Sequence, residues 1–587
     1  MNILARLPKA PLPEHLELAY SLRGKPKERL GAIMYLVEFV MLALGVVLSP
    51  RVEPHLVIVC WLLAAIADQV GTITDSKATR ALNLAGFGPA LRVAVRALVA
   101  ALALASAPLF AVSRSGATLD ARVPLTPYIV LVILTEIIML AQNLLVNVVS
   151  NSTPPLAYHP SAAQERAYKE RASFYASTLN EPVALLVGEC AAVMLGFLYP
   201  TLAYAALVIP LGYFIYFVLR TAGLLMAAKP DAERLLQTLG EAKPGYLIYV
   251  SFGQGQSNYI ANQWLPVLDK VPDGGFVMVR EASQLRPLIS TKLPIVYAPS
   301  QRHVEALTFP SVKVALYPAF GDKNAHLMRN INVDHVMIIH GDSDKSSSYN
   351  ATARGFDHVF VAGEAAVDRY WRAGVEIPRE RFRIVGRPQT ESLTVGPLNH
   401  DRPTILYAPT FEGYTEQNNY TSLASMGEGI VAALLAKDID VVFKPHPSTG
   451  VLKASMLGAR SKIVSMLDGH GKSILAPTAI NDCFQEADVL IADVSAVVSD
   501  FLYTERPIIA CDVAGLGEEK FRETYPSLAS AYVLAPDLSN LDEVLGLALG
   551  VDPLGEARAE AKLYLLGDTP NGPQAAFNAA MAELIGR

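Results

Sequence analysis

Charge is scarce in this chain: Asp, Glu, Lys and Arg make up only 18% of its 587 residues. The mean hydropathy is +0.30, well above that of an ordinary water-soluble chain. A basic excess is missing too. The formal net charge of −6 argues against a nucleic-acid-binding surface, which needs a basic face. Cysteine is rare, and Cys60, Cys190, Cys483 and Cys511 form no CxxC pair. Neither a zinc site nor a disulfide framework is expected from them. Residues 1–29 lack the basic, apolar and small-residue order of a cleaved signal peptide. Low-complexity segments and short-period repeats are absent as well. The length exceeds one compact core and predicts about three to four units.

What is present divides into two compositions. Residues 30–49, 55–70, 93–112, 126–149, 182–198 and 201–226 are apolar stretches, each about long enough to cross a bilayer as a helix. Asp68, Glu136 and Glu189 fall inside them. An ionisable residue in a span faces the bundle interior or sits near an end. Asp68 is expected at an interface, and Glu136 and Glu189 in polar contacts within the bundle. Arg23, Lys25, Lys27, Arg29, Lys77, Arg80, Arg92, Arg166, Lys169 and Arg171 fall in alternate connections. The positive-inside rule then puts both ends of the module in the cytosol of a multi-pass cell-membrane protein. The connection over 151–180 carries Tyr158, Tyr168, Phe174 and Tyr175 among basic residues. It is read either as lying on the inner membrane surface or as an ordinary loop.

After Pro230 the pattern changes. Short β-rich runs occur at 246–251, 275–280, 294–298, 312–317, 335–340, 358–362 and 383–385. A second series follows at 404–408, 440–443, 488–491 and 507–511. Most are followed by about a dozen or more residues of helical character, the mark of parallel sheets with crossover helices. Two doubly wound halves with a cleft between them are expected.

The candidate chemistry lies where these runs end. Ile338-Ile339-His340-Gly341-Asp342-Ser343 would carry His340 to a carboxyl sheet edge. There an imidazole can take a proton from an alcohol, or merely finish a strand. Val442-Phe443-Lys444-Pro445-His446-Pro447 stops a strand at prolines and points Lys444 and His446 the same way. A cation and a histidine on one edge suit a phosphate; a rigid loop with exposed charge is the alternative. In Ala492-Asp493-Val494-Ser495-Ala496, Ser495 is placed to cap the helix that runs on to Asp500-Phe501, and that helix start can also hold a diphosphate. Thr410, in Ala408-Pro409-Thr410-Phe411-Glu412, and Arg387, in Gly386-Arg387-Pro388, follow strands in the same way. Arg387 can reach a phosphate, though an exposed loop arginine is the simpler interpretation.

In this order the motifs resemble those of the CDP-glycerol glycerophosphotransferase family of teichoic-acid synthesis. The likeness extends over about residues 245–570 and includes Arg506-Pro507-Ile508-Ile509. It implies a GT-B fold, with His340 as base on the acceptor hydroxyl and His446 as acid or charge stabiliser at the donor phosphates. It also implies a phosphate-binding set drawn from Lys444, Asp493, Ser495, Arg387 and Thr410, with no metal motif and no cofactor beyond the donor, CDP-glycerol. Two departures stand out: Asp342-Ser343 replace the family's Thr-Pro after His-Gly, and Ala496 replaces its second serine.

The combined expectation is an α-helical membrane bundle of about six spans followed by an α/β GT-B fold of two Rossmann-like halves. Its boundaries are a cytosolic segment over 1–29, the bundle over 30–228, an acceptor half over 240–400 and a donor half over 401–587. The acceptor would be a lipid-linked or membrane-bound glycopolymer, and oligomeric state is not legible. A CDP-ribitol or nucleotide-sugar donor, or a transporter or scaffold with a degenerate transferase domain, are the competing readings.

Overall fold

The computed structural model describes residues 26–48, 54–74, 91–103, 125–152, 156–158, 181–194, 207–251, 259–281, 291–339, 341–398, 400–413, 419–437, 439–450, 453–468, 472–473 and 479–586. The chain divides into two compact units. One comprises 1–154 and 161–231; the other comprises 155–160 and 232–587.

The first unit is helical: α1 (Pro26–Leu48), α2 (Pro54–Thr74), α3 (91–103), α4 (Leu125–Ser152), α5 (181–194) and the start of α6 (Val208–Ala242). The expected spans are corrected here. Among the described residues no helix is long and apolar enough to cross a membrane, so the multi-pass membrane reading does not stand. The helices commit part of their buried faces to charge. Arg96 is fully buried and bonds Glu38 at 3.0 Å and Glu136 at 3.1 Å, with Asp68 also in contact. Arg92 meets Asp68 at 2.9 Å, and the Trp61 indole donates to Glu136 at 3.1 Å. Asp68, expected at an interface, is thus buried between two guanidiniums. Glu189 is buried and accepts from the Thr135 hydroxyl at 2.9 Å. Burial pushes the Glu189 carboxyl up to about 8. Val57, Trp61, Leu62, Tyr128, Leu131 and Leu186 pack together as the apolar core of this unit.

The second unit holds two sheets. The first contains β1 (Leu156–Tyr158), β2 (Tyr246–Val250), β3 (Gly275–Val279), β4 (Ile295–Tyr297), β5 (Val314–Tyr317), β6 (Asp334–Met337), β7 (His358–Val361) and β8 (Phe382–Ile384). Their order is β1-β4-β3-β2-β5-β6-β7-β8. Every neighbouring pair is parallel except β1 with β4. Part of the 151–180 connection is therefore an edge strand, pairing Leu156 with Tyr297 and Tyr158 with Ile295.

The second sheet contains β9 (Thr404–Ala408), β10 (Asp440–Phe443), β11 (Lys472–Ser473), β12 (Val489–Ala492), β13 (Ile508–Cys511) and β14 (Tyr532–Leu534). It is parallel throughout, in the order β11-β10-β9-β12-β13-β14. Strands covered on both faces need apolar residues at consecutive positions. The second sheet shows this directly. Leu406, Ala408, Val442, Leu490 and Ala510 belong to one core, and Ile405, Tyr407, Val441, Phe443, Ile491 and Ile509 to the opposite one. The strand period of two deals neighbours to alternate faces.

Both sheets reverse their order about the first of their parallel strands, β2 in one and β9 in the other. A parallel doubly wound sheet opens a crevice at that switch, beyond the carboxyl ends of its strands. The last helix, Pro573–Ile585, packs against the first sheet's side. The Gln574 amide donates to the Val267 carbonyl at 3.1 Å, and Phe577 lies against Trp264 and Phe360.

Candidate functional site

The strand ends of both sheets meet. At the switch of the second sheet, β9 and β12 lie side by side, with Tyr407 opposite Ile491 and Ala408 opposite Ala492. The next residues are Pro409-Thr410 on one strand and Asp493 on the other. Asp493 is fully buried. Its carboxylate accepts the Thr410 N–H at 2.7 Å and the Ser422 N–H at 3.1 Å. Burial raises its pKa to about 6 against the opposing pull of these hydrogen bonds and of the Lys345 charge. Asp493 thus clamps the loop after β9 rather than projecting into the crevice.

Ser495 stands at the N-cap of the helix Ala496–Phe501, as expected, but its side chain makes no capping bond. Its hydroxyl oxygen is sealed from solvent and has no hydrogen-bond partner. Capping alone does not account for a serine here.

β10 continues into Lys444-Pro445-His446-Pro447, and the ladder persists past the strand: the Lys444 N–H bonds the Tyr407 carbonyl at 2.9 Å. The His446 N–H bonds the Pro409 carbonyl at 3.2 Å. Lys444 is buried, and burial lowers its pKa. His446 Nδ1 accepts the Ser448 N–H at 3.0 Å, so Nε2 is the nitrogen left to carry a proton. The ring lies edge-on to Tyr259, 5.4 Å between centroids, and at the same distance from Phe411. Tyr259 comes from the first half, so His446 stands where the halves meet. Glu412 fixes this loop from below: it is fully buried and accepts from Gly450 N–H at 3.0 Å and Lys453 N–H at 3.1 Å.

His340 lies outside the described residues, but both sides of it are defined. The Trp264 indole donates to the Ile339 carbonyl at 3.2 Å, and Ile339 has a φ of 25°, rare for a β-branched residue. Strained backbone of this kind clusters at functional sites. Gly341 then passes so close to the second half that a Cβ on it would lie 2.7 Å from the Ala496 Cβ.

The following loop is anchored by charge. Asp342 and Asp344 both engage Arg369 of the helix Glu364–Arg372, the latter at 3.0 Å. The second Asp344 oxygen accepts from the Ser527 N–H at 2.8 Å, across to the other half. Asp342 is buried, which raises its pKa, while Arg369 opposes the rise. The departure from Thr-Pro at Asp342-Ser343 is therefore compensated by a guanidinium. Lys345 ends the loop. Its ammonium reaches the Thr410 hydroxyl at 2.7 Å and stands 5.3 Å from the Tyr420 ring centre.

Arg387 is no exposed loop arginine. It is buried and holds Asp500 with two hydrogen bonds, 2.7 and 2.9 Å. Gly386 before it has a φ of +70°, and a Cβ there would come 2.7 Å from Pro573. Only glycine turns the chain at that point and admits the last helix.

The structure thus brings Thr410, Lys444, His446, Asp493 and Ser495 to one sheet edge, and it turns Arg387 onto Asp500. Lys345, Arg369, Glu412 and Ser422 were not among the sequence candidates. Their signal is long-range: each acts through a residue far along the chain. Among the described residues, no group of three or more His, Cys, Asp or Glu is arranged to hold a metal ion.

Residues 351–524 match the family model for CDP-Glycerol:Poly(glycerophosphate) glycerophosphotransferase. No curated protein matches the chain. Among solved structures, the wall teichoic acid polymerase TagF is similar at 14% identity, with 64% of this chain and 98% of that chain covered and a TM-score of 0.42. A histidine-to-asparagine TagF variant soaked with CDPG has the same identity and coverage at a TM-score of 0.41. A glycosyltransferase from Rickettsia africae ESF-5 is similar at 11% identity, over 58% of this chain and 98% of that one, with a TM-score of 0.36. With the matched stretch containing Arg387, Thr410, Lys444, His446, Asp493 and Ser495, the chain is an enzyme, a transferase of glycerophosphotransferase-like type.

Proposed function

We propose that this enzyme moves glycerol phosphate from CDP-glycerol onto a hydroxyl of a teichoic-acid-like or other cell-envelope glycopolymer and releases CMP. One observation carries the reading: the Ser495 hydroxyl, sealed and without a partner, at a helix start beside Asp493 within the matched stretch. Backbone N–H groups and a hydroxyl at such a start suit a diphosphate.

In the proposed step, the acceptor oxygen attacks the phosphorus that bears glycerol. The bridge to the CMP phosphate breaks, and the acceptor proton passes to a base, for which His340 is the candidate. His446, with Nδ1 occupied by Ser448, would offer its Nε2 proton or charge to the departing phosphate. Asp493 would hold Thr410 in place, and Lys444 would add positive potential at the same edge. Catalysis would rest on positioning and charge stabilisation.

The test is CMP release from CDP-glycerol with a glycerol-phosphate oligomer as acceptor. His446→Ala and His340→Ala should each lower turnover by at least a hundredfold in folded protein. Undiminished turnover in either variant removes that residue's role. Release of UDP from a UDP-sugar, with no CMP from CDP-glycerol, would replace the donor assignment. CDP-ribitol in the same assay separates the two alditols.

A further inference from the structure

We infer that Lys345 is a substrate-binding cation, reaching from the first half across the cleft to take the donor diphosphate at the edge formed by Thr410, Asp493 and Ser495. This rests on the transfer reading above and adds a residue that lies outside the stretch matched by the family model.

The geometry carries it. An ammonium group has three N–H donors. One is spent on the neutral Thr410 hydroxyl at 2.7 Å, and the Tyr420 ring provides a π contact. Among the described residues no carboxylate pairs with it. The acids nearest in sequence are already occupied: Asp342 and Asp344 grip Arg369, and Asp344 also takes Ser527. The acid facing it, Asp493, has its oxygens engaged by the Thr410 and Ser422 N–H groups. A lysine brought to a strand-end crevice and denied an ion pair lacks an anion. The same edge supplies the sealed, unpartnered Ser495 hydroxyl, a second group without its complement.

The loop is built to hold this position. Asp342 and Asp344 flank Ser343 and tie the backbone to Arg369, while Ser343 and Ser348 share a hydrogen bond at 3.0 Å. Lys345 therefore presents its charge with little freedom to lose on binding, and a preorganised cation binds phosphate more tightly than a flexible surface lysine. During transfer it would neutralise a non-bridging oxygen of the CMP phosphate as the bridging bond breaks. No proton need leave it.

The groups that set its charge are few. Burial lowers the Lys345 pKa to about 8, and Asp493 opposes this. Tyr420 also faces it, and burial raises its pKa; Lys444, whose pKa burial lowers, and His446 lie at the same edge. Lys345 thus loses positive charge just above neutrality, and an arginine there would not.

The experiment uses the full chain and two variants, Lys345→Arg and Lys345→Met. Binding of CDP and of inorganic pyrophosphate is measured by calorimetry between pH 6.5 and 9.5, alongside CMP release and thermal unfolding. For wild type, affinity should fall at least tenfold as the pH rises through about 8. K345R should bind within about threefold of wild type at pH 7 and lose that alkaline fall. K345M should bind at least tenfold more weakly at pH 7, with no such pH step. If K345M does not fold, K345R alone decides: an alkaline limb unchanged in K345R overturns the assignment. Equal CDP and pyrophosphate affinity in K345M and wild type overturns it too, as does a wild type that binds neither. Pyrophosphate binding that depends on Lys345, without CMP release from CDP-glycerol, keeps the anion site and removes the proposed donor. CMP release unchanged in K345M keeps the transfer and removes the anion site.

Discussion

Arg387 and Asp500, 113 residues apart in sequence, form a two-pronged buried pair that joins the end of the first sheet to the helix Ala496–Phe501 of the second. The nitrogen-to-oxygen distances of 2.7 and 2.9 Å are those of charge-assisted bonds. This helix begins at the Ser495 edge, so the pair fixes the site as well as the fold.

Arg387→Ala should leave the Asp500 carboxylate buried without a counter-charge. The expected cost is about 3–5 kcal/mol of unfolding free energy. Arg387→Lys should recover only part, because an ammonium cannot reproduce the planar fork. Urea unfolding of the two variants checks this. A loss below about 1 kcal/mol in Arg387→Ala would mean the pair is only a surface-type contact.

Glu412 makes a different demand. It touches no proposed substrate atom, yet it receives the Gly450 and Lys453 N–H groups that close the loop carrying His446. Glu412→Ala should lower kcat for CMP release about 10- to 100-fold, with a smaller change in KM, since a displaced loop misplaces the imidazole. Glu412→Gln keeps an acceptor oxygen and should retain more activity than Ala. Equal losses in both variants would count against a positioning role.

Asp493 gives a pH signature. Its pKa rises from 3.8 in the ordinary range to about 6 in the folded protein, chiefly through burial. A group raised in this way contributes stability that is full below about pH 4 and is lost as the pH climbs through 6. Asn cannot titrate, and its amide also sets an N–H against a backbone donor, a cost independent of pH. The stability gap between wild type and Asp493→Asn should therefore shrink between pH 4.5 and 7. Urea titrations at three pH values measure it, and a constant gap would contradict the raised pKa.

Much of the second unit was legible because buried parallel strands are continuous apolar runs. The stretches at 404–408 and 440–443 coincide with β9 and β10, and 246–251 ends one residue beyond β2. The prolines after Lys444 marked the end of β10, whereas the run expected over 335–340 leaves the sheet already at Met337. The errors have one physical origin: pairing partners far apart in sequence. Asp68 and Glu136 stand out within 55–70 and 126–149, but their partners do not: the structure spends them on Arg92 and Arg96, distant in sequence. Leu156–Tyr158 carries no strand pattern of its own and becomes a strand only by joining β4. Lys345 sits in an Asp- and Ser-rich loop whose composition says turn, and its partner Thr410 belongs to the other half. Arg387 reads as exposed until Asp500 is placed beside it.

The contact between Gly341 and Ala496 permits the sharpest test of the cleft. A methyl group on Gly341 would sit 2.7 Å from the Ala496 Cβ, closer than carbon atoms tolerate. Gly341→Ala should therefore push the His340 loop and the Ser495 helix start apart and reduce CMP release by at least tenfold. Ala496→Gly removes the colliding carbon. At the first turn of a helix it costs up to about 1 kcal/mol by itself and should leave turnover within about threefold of wild type. The double variant Gly341→Ala/Ala496→Gly should then recover most of the activity lost in Gly341→Ala, a coupling that independent sites do not show. Recovery requires that the two loops approach each other in the working enzyme. A double variant as slow as Gly341→Ala would mean that they do not, and that Gly341 is needed for its own backbone rather than for what it faces.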